Sequence, residues 1–381
     1  MAELLFLMWL HLKSTVSPRR SRELIEIFGN AEKVYLADKK AYVNAGVTNQ
    51  HMLHELLDKN TKTADKEIEK AKRLGIRVIG FGTEDYPIIL NEIPDPPMIL
   101  YVKGSVDVLH RRNIFCIVGT RHSTAYGMSA AIGVAEQLAR CGMIILSGVA
   151  MGIDSAAHRG ALRGGGKTIG IMGCGLDVAY PADNGEIRRA IAENGALVSE
   201  FPLGTPPIGS NFPMRNRLLS AFSLGVAVME AGEKSGALIT AKYAAEQGRD
   251  VFALPGNISN PMSSGTNRLI QDGAALLTGA DAIIAEYLLR YPEFFDLETE
   301  TKEQILFEEK DFVSENEAEV LRESHVTEYE KRLYKYLTRE PLHINELSRN
   351  SGVPIREAQS IITMLQIKGK VRAYPGNRFG L

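Results

Sequence analysis

Residues 143–181 of the chain read MIILSGVAMGIDSAAHRGALRGGGKTIGIMGCGLDVAYP. Two short apolar runs, Met143–Leu146 and Thr168–Met172, flank a helical segment over Ser155–Leu162, and a glycine-containing loop follows each run. Continuous apolar runs of this length are typical of strands that are covered on both faces. A strand, a helix and a second strand in succession indicate a right-handed crossover within a parallel sheet. This stretch therefore predicts an α/β fold.

The same alternation continues on both sides of this stretch. Further strands are predicted at Ile114–Val118, Ala196–Ser199, Val226–Met229, Val251–Leu254 and Ala275–Leu277, with helices at Ser129–Arg140, Glu186–Ala192 and Leu238–Gln247. The series predicts a doubly wound, mostly parallel sheet, in which ligands bind at the carboxyl ends of the strands. Residues 66–104 are expected to extend this sheet.

Charge and glycine divide the chain into segments. Residues 293–323 carry 3 basic and 12 acidic side chains, whereas residues 326–381 carry 10 and 5, and residues 105–290 hold 25 of the 35 glycines. We predict a small helical domain over 1–62, the sheet domain over 63–290, an acidic, solvated linker over 291–325 and a winged-helix domain over 326–381. The winged helix is built from helices near Tyr329–Leu337, Ile344–Asn350 and Ile355–Ile367, followed by a hairpin.

Composition and charge exclude several classes of protein. Hydrophobic residues make up 45% of the chain and charged residues 24%, which excludes a wholly disordered or fibrous chain. The net charge of −2 gives no bulk attraction to polyanions. Three cysteines without CxxC spacing argue against a zinc ribbon or a disulfide framework and suit a reducing compartment. No apolar run approaches the ~18 residues of a membrane helix, and the apolar start lacks the basic region of a signal peptide, so we expect a cytoplasmic protein.

Glycine-rich loops follow most of the predicted strands, at the edge where a ligand is expected. They include Gly119 to Arg121, residues 147–154 (SGVAMGID), Gly173 to Gly175, and Ser235-Gly236 before a helix. Glycine lets an anion approach the backbone, and helix N-termini offer free N–H groups. Neither the dinucleotide-binding GxGxxG fingerprint nor a GxxxxGK[ST] loop is present, which argues against a nicotinamide enzyme and a P-loop ATPase. Several glycine-rich loops side by side instead favour an anionic ligand that extends along this edge. Each loop by itself is equally well explained as a tight turn.

Other polar residues complete the candidate site. Residues 200–219 (EFPLGTPPIGSNFPMRNRLL) are predicted to form a long loop that joins Phe212, beside Asn211, to Arg215, Asn216 and Arg217 at the start of a helix. Phe212 can stack on an unpaired base, and the two arginines can hold the backbone phosphates. The alternative is that Phe212 anchors the core and the arginines form a solvated face. Arg121, Lys167, Ser235 and Gly236 are further candidates. Asp154 is expected to cap a helix, and His158 to be structural.

These blocks resemble the DNA-processing protein A (DprA/Smf) family. The matching segments include IVGTRHSTAYG (117–127), LSGVAMGIDSAAHRGAL (146–162), NFPMRNRLLSAFS (211–223) and EAGEKSGALITAKYAAEQGRDVFALPG (230–256). The resemblance implies an extended Rossmann-like fold with a SAM-like N-terminal domain, and a homodimer that binds single-stranded DNA, protects incoming strands and loads a RecA-type recombinase during natural transformation. No enzymatic activity, cofactor or metal is implied. The resemblance also implies that Arg121, Ser147, Gly148 and residues 212–217 contact the single-stranded DNA.

The chain also departs from the family's pattern. His122, Met151, Gly209 and Met214 stand where the resemblance implies cations in many relatives, and each lost charge is expected to lower the salt-dependent part of DNA binding.

Three functions follow from these observations. We expect a non-catalytic single-strand binder. The alternatives are a Rossmann-like hydrolase acting on a nucleotide, with Glu200 or Glu230 as its acid, and a transcriptional regulator driven by the winged helix. The helix Ile355–Ile367 has a mixed rather than basic surface, so contact with duplex DNA and contact with a protein both stay open for it.

Overall fold

The structure of the chain is a computed structural model that describes residues 2–296, 329, 332–338, 342–367, 371–374 and 378–380. The chain divides into two compact units, residues 1–298 and 299–381. The predicted linker over 291–325 lies almost entirely outside the described residues, so its solvated character stays a prediction.

The first unit is built around one nine-stranded sheet. Its strands are β1 (Arg77–Gly80), β2 (Ile99–Gly104), β3 (Ile114–Val118), β4 (Ile144–Ser147), β5 (Thr168–Ile171), β6 (Gly195–Ser199), β7 (Gly225–Val228), β8 (Asp250–Ala253) and β9 (Ala275–Leu276). The helices that precede the sheet are α1 (Ala2–His11), α2 (Pro18–Phe28), α3 (Ala31–Leu36), α4 (Lys39–Asn44), α5 (Gln50–Leu57) and α6 (Lys62–Arg73). Those that cover it are α7 (Ala125–Arg140), α8 (Ile153–Arg163), α9 (Gly185–Asn194), α10 (Asn211–Ala221), α11 (Gly236–Glu246), α12 (Ser264–Gln271) and α13 (Ala280–Arg290).

The strand order confirms the predicted doubly wound sheet. The strands lie in the order β1-β2-β6-β5-β4-β3-β7-β8-β9, and every neighbouring pair from β6 to β9 is parallel. Residues 77–104 extend the sheet as predicted, but β1 and β2 add to it in antiparallel pairs. The chain builds outward from β3 to β6 on one side and then returns to place β7 on the other side of β3. Such a reversal opens a crevice at the carboxyl ends of β3 and β7.

The predicted bounds are close to the observed ones, with two informative differences. Helix α7 begins at Ala125, before the predicted Ser129, because the Thr124 side chain accepts the Gly127 N–H at 3.2 Å and caps the helix. Helix α10 begins at Asn211, so the predicted long loop ends earlier than expected. Pro213 is tolerated there because the first N–H groups of a helix have no partner within it.

The N-terminal helices share a hydrophobic core with the sheet. Side chains of α1 and α4, including Trp9 and Tyr42, belong to one buried cluster with Ile99 and Tyr101 of β2. The intervening Leu100 of β2 belongs to the cluster on the other side of the sheet, as the two-residue period of a strand requires. Residues 2–62 are mainly helical, as predicted for 1–62, and the assignment of this segment as a separate domain stays a prediction.

The second unit is the predicted winged helix. It contains β10 (Leu342–His343), α14 (Ile344–Ser351), α15 (Ile355–Ile367), β11 (Arg372–Tyr374) and β12 (Arg378–Gly380), and its strands lie in the order β10-β12-β11. Gly352, with a φ of 67°, ends α14 in the left-handed conformation and allows the turn into α15. Leu333, Leu347 and Leu365 are buried in a core of this unit's own. The side chains of Arg356 and Ser360, and part of the predicted helix 329–337, lie outside the described residues.

Candidate functional site

A cleft of about 280 Å³ lies at the reversal of strand order, at the carboxyl ends of β3 and β7. We call it the switch cleft, and its lining comprises Val118 to His122, Ala150, Asp154, Phe212, Arg215, Asn216, Leu219, Ser235 to Ala237 and Thr240. Loops that are far apart in the sequence meet here because parallel strands end at one edge of the sheet. Six predicted site residues therefore come together, namely Arg121, Phe212, Arg215, Asn216, Ser235 and Gly236.

Arg121 and Phe212 form a cation–π pair in the switch cleft. The guanidinium carbon of Arg121 lies 4.8 Å from the ring centroid of Phe212, and Arg121 is exposed. Phe212 is partly buried, with its ring centroid 5.7 Å from that of Tyr180 and its edge against Gly173, where a Cβ would come within 2.8 Å. The ring is therefore packed against Gly173 and Tyr180 on one side and lines the cleft on the other. Phe212 is neither a fully exposed aromatic residue nor a residue buried in the core.

Arg215 lines the cleft from below and is buried, with 4% of its surface exposed. Its Nη1 donates to the carbonyl of Gly148 at 2.8 Å and to the carbonyl of Ile171, and its Nε donates to Asn216 at 3.1 Å. Burial lowers the pKa of Arg215, and the neighbouring carboxylate of Asp154 opposes that shift. The arginine therefore joins the ends of β4 and β5 rather than standing free for a phosphate.

The loop after β4 is shaped around this arginine. A Cβ at Gly148 would lie 2.5 Å from Asp154 Oδ2 and 2.7 Å from Arg215 Nη2, so the loop requires glycine at that position. Val149 has a φ of 59°, which a β-branched residue rarely adopts. The expectation that Asp154 caps α8 is wrong, because its carboxylate accepts the N–H of Ala150 at 3.2 Å, in the loop before the helix. Burial raises the pKa of Asp154, and Arg215 opposes that shift.

Helix α11 points its N-terminus into the cleft. The Ser235 hydroxyl accepts the N–H of Ala237 at 3.3 Å, and Gly236 is exposed. The Asn216 amide donates to the carbonyl of Gly236 at 3.2 Å and ties α10 to this end of α11. A helix N-terminus carries partial positive charge, so this corner favours an anion.

Five predicted site residues are placed differently. The Ser147 hydroxyl is fully buried and donates to the carbonyl of Ile117 at 2.6 Å, while Gly148 is buried under Arg215. Asn211 is buried at the start of α10, where its amide donates to Pro206 at 3.3 Å. Lys167 precedes β5 and therefore lies at the opposite edge of the sheet, among residues that do not line the switch cleft. Arg217 is the fifth.

Arg217 points away from the switch cleft into a buried ion-pair network. Its Nη1 and Nη2 donate to the two carboxylate oxygens of Glu200 at 2.5 and 2.6 Å, and its Nε donates to Asp95 at 2.8 Å. Arg217 is 3% exposed and Glu200 is 4% exposed. Burial opposes the charge on Arg217, but Glu200 and Asp95 outweigh it and raise the pKa of the guanidinium. The geometry gives this arginine a structural role.

The two acids considered for a hydrolase are both engaged in the fold. Glu200 is held by Arg217, and Glu230 accepts the Thr124 N–H at 2.8 Å and the Thr124 hydroxyl at 2.6 Å at the start of α7. Neither carboxylate lines the switch cleft. Across the described part of the chain, no three histidine, cysteine or acidic side chains are grouped so that they could hold a metal ion.

Sequence reasoning missed some lining residues. Thr240 lies one helical turn after Gly236 and faces the cleft, and the i,i+4 spacing on a predicted helix was the signal that could have found it. Thr120 lines the cleft between Gly119 and Arg121. His122, one of the positions where a cation is absent, lines the cleft as well, and Met151, Gly209 and Met214 are exposed.

Comparisons with known proteins agree with this geometry. The family model "DNA recombination-mediator protein A" matches residues 77–288, which contain the whole switch cleft, and a DprA winged-helix model matches residues 318–377. The chain belongs to the DprA/Smf family. It is 41% identical over 212 residues to DNA processing protein DprA of Bacillus subtilis, covering 56% of this chain and 71% of that protein. It is 44% identical over 203 residues to protein Smf of Escherichia coli, covering 53% and 54%.

Two solved structures of DprA proteins share the fold. DprA from Streptococcus pneumoniae superposes with a TM-score of 0.67 at 32% identity, covering 74% of this chain and 97% of that one. DNA processing protein A from Helicobacter pylori, whose structure concerns its single-stranded DNA binding mode, superposes with a TM-score of 0.52 at 33% identity, covering 57% and 97%. Among the described residues of this DprA/Smf family member, no helix is long and apolar enough to span a membrane.

Proposed function

We propose that the chain binds single-stranded DNA in the switch cleft and leaves the strand chemically unchanged. The observation that carries this proposal is the pair of Arg121 and Phe212, 4.8 Å apart in a cleft that α11 enters by its N-terminus. An aromatic ring stacks on any base, and a guanidinium beside it attracts the backbone. The Helicobacter pylori relative, with its single-stranded DNA binding mode, supports the same ligand class.

Exposed and buried groups have different roles in this proposal. Arg121 meets a phosphate, Phe212 stacks on a base, and the N–H groups near Gly236 meet a second phosphate. Arg215 and Asn216 keep the cleft in shape through their bonds to the ends of β4 and β5 and to α11. Arg121 rather than Arg217 is the principal phosphate contact in this proposal, because all five N–H groups of the Arg217 guanidinium donate within the protein.

We further propose that the bound strand is protected and then transferred to a RecA-type recombinase by a homodimer of this chain in the cytoplasm. The description of the matching family model as a recombination mediator supports this role. The winged helix is proposed to contact duplex DNA or a protein in the same process. No cofactor is required, because the proposed steps are binding and transfer.

The test compares Arg121→Ala and Phe212→Ala with the intact chain in binding a labelled oligo-dT over a range of salt concentrations. Arg121→Ala is expected to lower the slope of log K against log salt by ~0.7, the value for one lost phosphate contact on a single strand. Phe212→Ala is expected to weaken binding by ~1–3 kcal/mol with little change in slope.

The control is Lys242→Ala on α11, a cation whose side chain is 76% exposed outside the cleft. It should leave affinity and slope unchanged. Unchanged affinity in both cleft variants would contradict the site. Hydrolysis of a nucleotide or of the strand by the intact chain, lost in Glu230→Gln, would contradict the non-catalytic part and favour the hydrolase.

A further inference from the structure

A second groove lies at the opposite edge of the sheet, at the amino ends of β3, β4 and β5. It has a volume of about 380 Å³, and we call it the basal groove. Its lining includes Arg111, Asn113, Arg140, Gly165, Lys167 and Asp296. The turn Gly164 to Gly166 packs closely against the end of α7, since a Cβ at Gly164 would lie 2.6 Å from the Glu136 carbonyl oxygen. Lys167 follows this turn and lines the groove together with Arg140 of α7.

Two of the cations at this edge have local partners. Arg140 and Arg163 both pair with Glu136, at 2.6 and 3.5 Å, and they occupy the last turns of α7 and α8. Cations are favourable there because the carbonyl end of a helix carries partial negative charge. These two arginines are therefore explained by the fold itself.

The remaining cations are not explained in this way. Arg111 and Lys167 are exposed, line the groove from the loops that enter β3 and β5, and have no ion pair within the described residues. Arg112, next in the chain, is exposed as well. Three cations line the groove, Arg111, Arg140 and Lys167, against one acid, Asp296. The surplus of positive charge marks an anion-binding surface.

We propose that the basal groove binds the phosphate backbone of the same single strand, beyond the segment held in the switch cleft. The inference rests on the proposed function, since it takes the ligand to be DNA. The strands that separate the two sites have four or five residues, which at about 3.3 Å per residue gives roughly 13–17 Å along the sheet. No aromatic side chain lines the groove in the described part of the chain, so contact with phosphates rather than base stacking is expected.

The test uses the full chain with Arg111→Gln and Lys167→Gln combined, and two labelled oligo-dT probes. The shorter probe spans the switch cleft alone, and the longer one is several times its length. For the longer probe we expect the slope of log K against log salt to fall by ~1.4, the value for two lost phosphate contacts. For the shorter probe, affinity and slope should stay as in the intact chain.

The matched control is Lys39→Gln with Lys40→Gln on α4, which removes the same charge from exposed positions elsewhere in the unit. Thermal melting should show that both double variants keep the fold. An unchanged slope for the longer probe, or an equal loss in the control, would overturn the proposal. Binding of poly-glutamate that is lost in the basal variant, with oligo-dT unaffected, would assign the groove to an acidic protein instead.

Failure of this inference is distinguishable from failure of the proposed function. If the intact chain binds neither probe, the proposed function itself is wrong. If Arg121→Ala weakens both probes while the basal variant weakens neither, the switch cleft stands and the basal groove has no part in DNA binding.

Discussion

Three arginines of similar appearance in the sequence have three different roles in the structure. Arg121 is exposed beside an aromatic ring, Arg215 is buried against backbone carbonyls, and Arg217 is buried against two carboxylates. Arg215 and Arg217 lie two positions apart on α10, and successive residues of a helix are about 100° apart around its axis. Neighbours in the sequence therefore face different surroundings, and no pattern in NFPMRNR shows which arginine faces the cleft.

Arg217→Met is expected to destabilise the protein. The folded variant should bind oligo-dT with the same slope of log K against log salt as the intact chain. The substitution leaves the Glu200 carboxyl, 4% exposed, without its guanidinium partner, and breaking a buried pair in this way costs about 3–5 kcal/mol of unfolding free energy. Urea unfolding measures this loss. Adding Glu200→Leu should restore part of the stability, because both buried charges are then removed.

The matched variant for this prediction is Arg121→Met. Its side chain is exposed, so its unfolding free energy should stay within about 0.5 kcal/mol of the intact chain. A stable Arg217→Met chain that had lost oligo-dT binding would show instead that Arg217 contacts DNA.

At the scale of elements, strands were more predictable than the side chains of the site. Ile114–Val118 is β3 in both prediction and structure, because a strand buried on both faces leaves an unbroken apolar run in the sequence. Lys167 shows where this reasoning ends. As a site candidate, Lys167 requires its loop to bring it round from the start of β5 to the ligand edge, but the structure keeps it at the opposite edge.

The pairing of α8 with β5 depends on a neutral histidine. The Thr168 hydroxyl donates to the Ile145 carbonyl at 2.8 Å, so the hydroxyl oxygen accepts from His158 Nδ1, 2.7 Å away. This assigns the proton to Nδ1 and leaves Nε2 buried, with no hydrogen-bond partner among the described residues. Burial, with a smaller effect of Arg215, lowers the pKa of His158 to about 3, and burial lowers that of His11 in α1 to about 4.

Stability is therefore expected to fall on mild acidification. In the unfolded chain these histidines become protonated below about pH 6.5, whereas in the folded chain they become protonated only near pH 3 to 4. Between these values the unfolded state binds more protons than the folded state, so the unfolding free energy decreases as the pH falls. The slope is up to about 1.4 kcal/mol per pH unit for each histidine. Urea midpoints between pH 7.5 and 5.5 measure it. His158→Asn should flatten the dependence, whereas His51→Asn, at an exposed position of α5, should leave it unchanged.

At the scale of the molecule, charge and glycine content predict four segments, whereas the buried hydrophobic clusters group the chain into two units. The winged helix was visible in the sequence because its helices, turn and hairpin follow one another, and its buried side chains form a core of their own. The connection of residues 1–62 to the sheet was not visible, because it depends on contacts between residues about ninety positions apart, such as Tyr101 and Met8 at 3.4 Å.

Two truncations test this division. Removal of residues 299–381 should leave a unit that unfolds cooperatively and binds short oligo-dT as the full chain does, since the switch cleft and both of its hydrophobic clusters lie within residues 1–298. Removal of residues 2–61 should abolish cooperative unfolding. It would expose Ile99 and Tyr101, both fully buried, and each large apolar side chain returned to water costs about 1.5–3 kcal/mol. Thermal melts followed by circular dichroism compare the two truncated chains. If the chain without residues 2–61 melted as cooperatively and at the same temperature as the chain without residues 299–381, the N-terminal helices would be an independent domain.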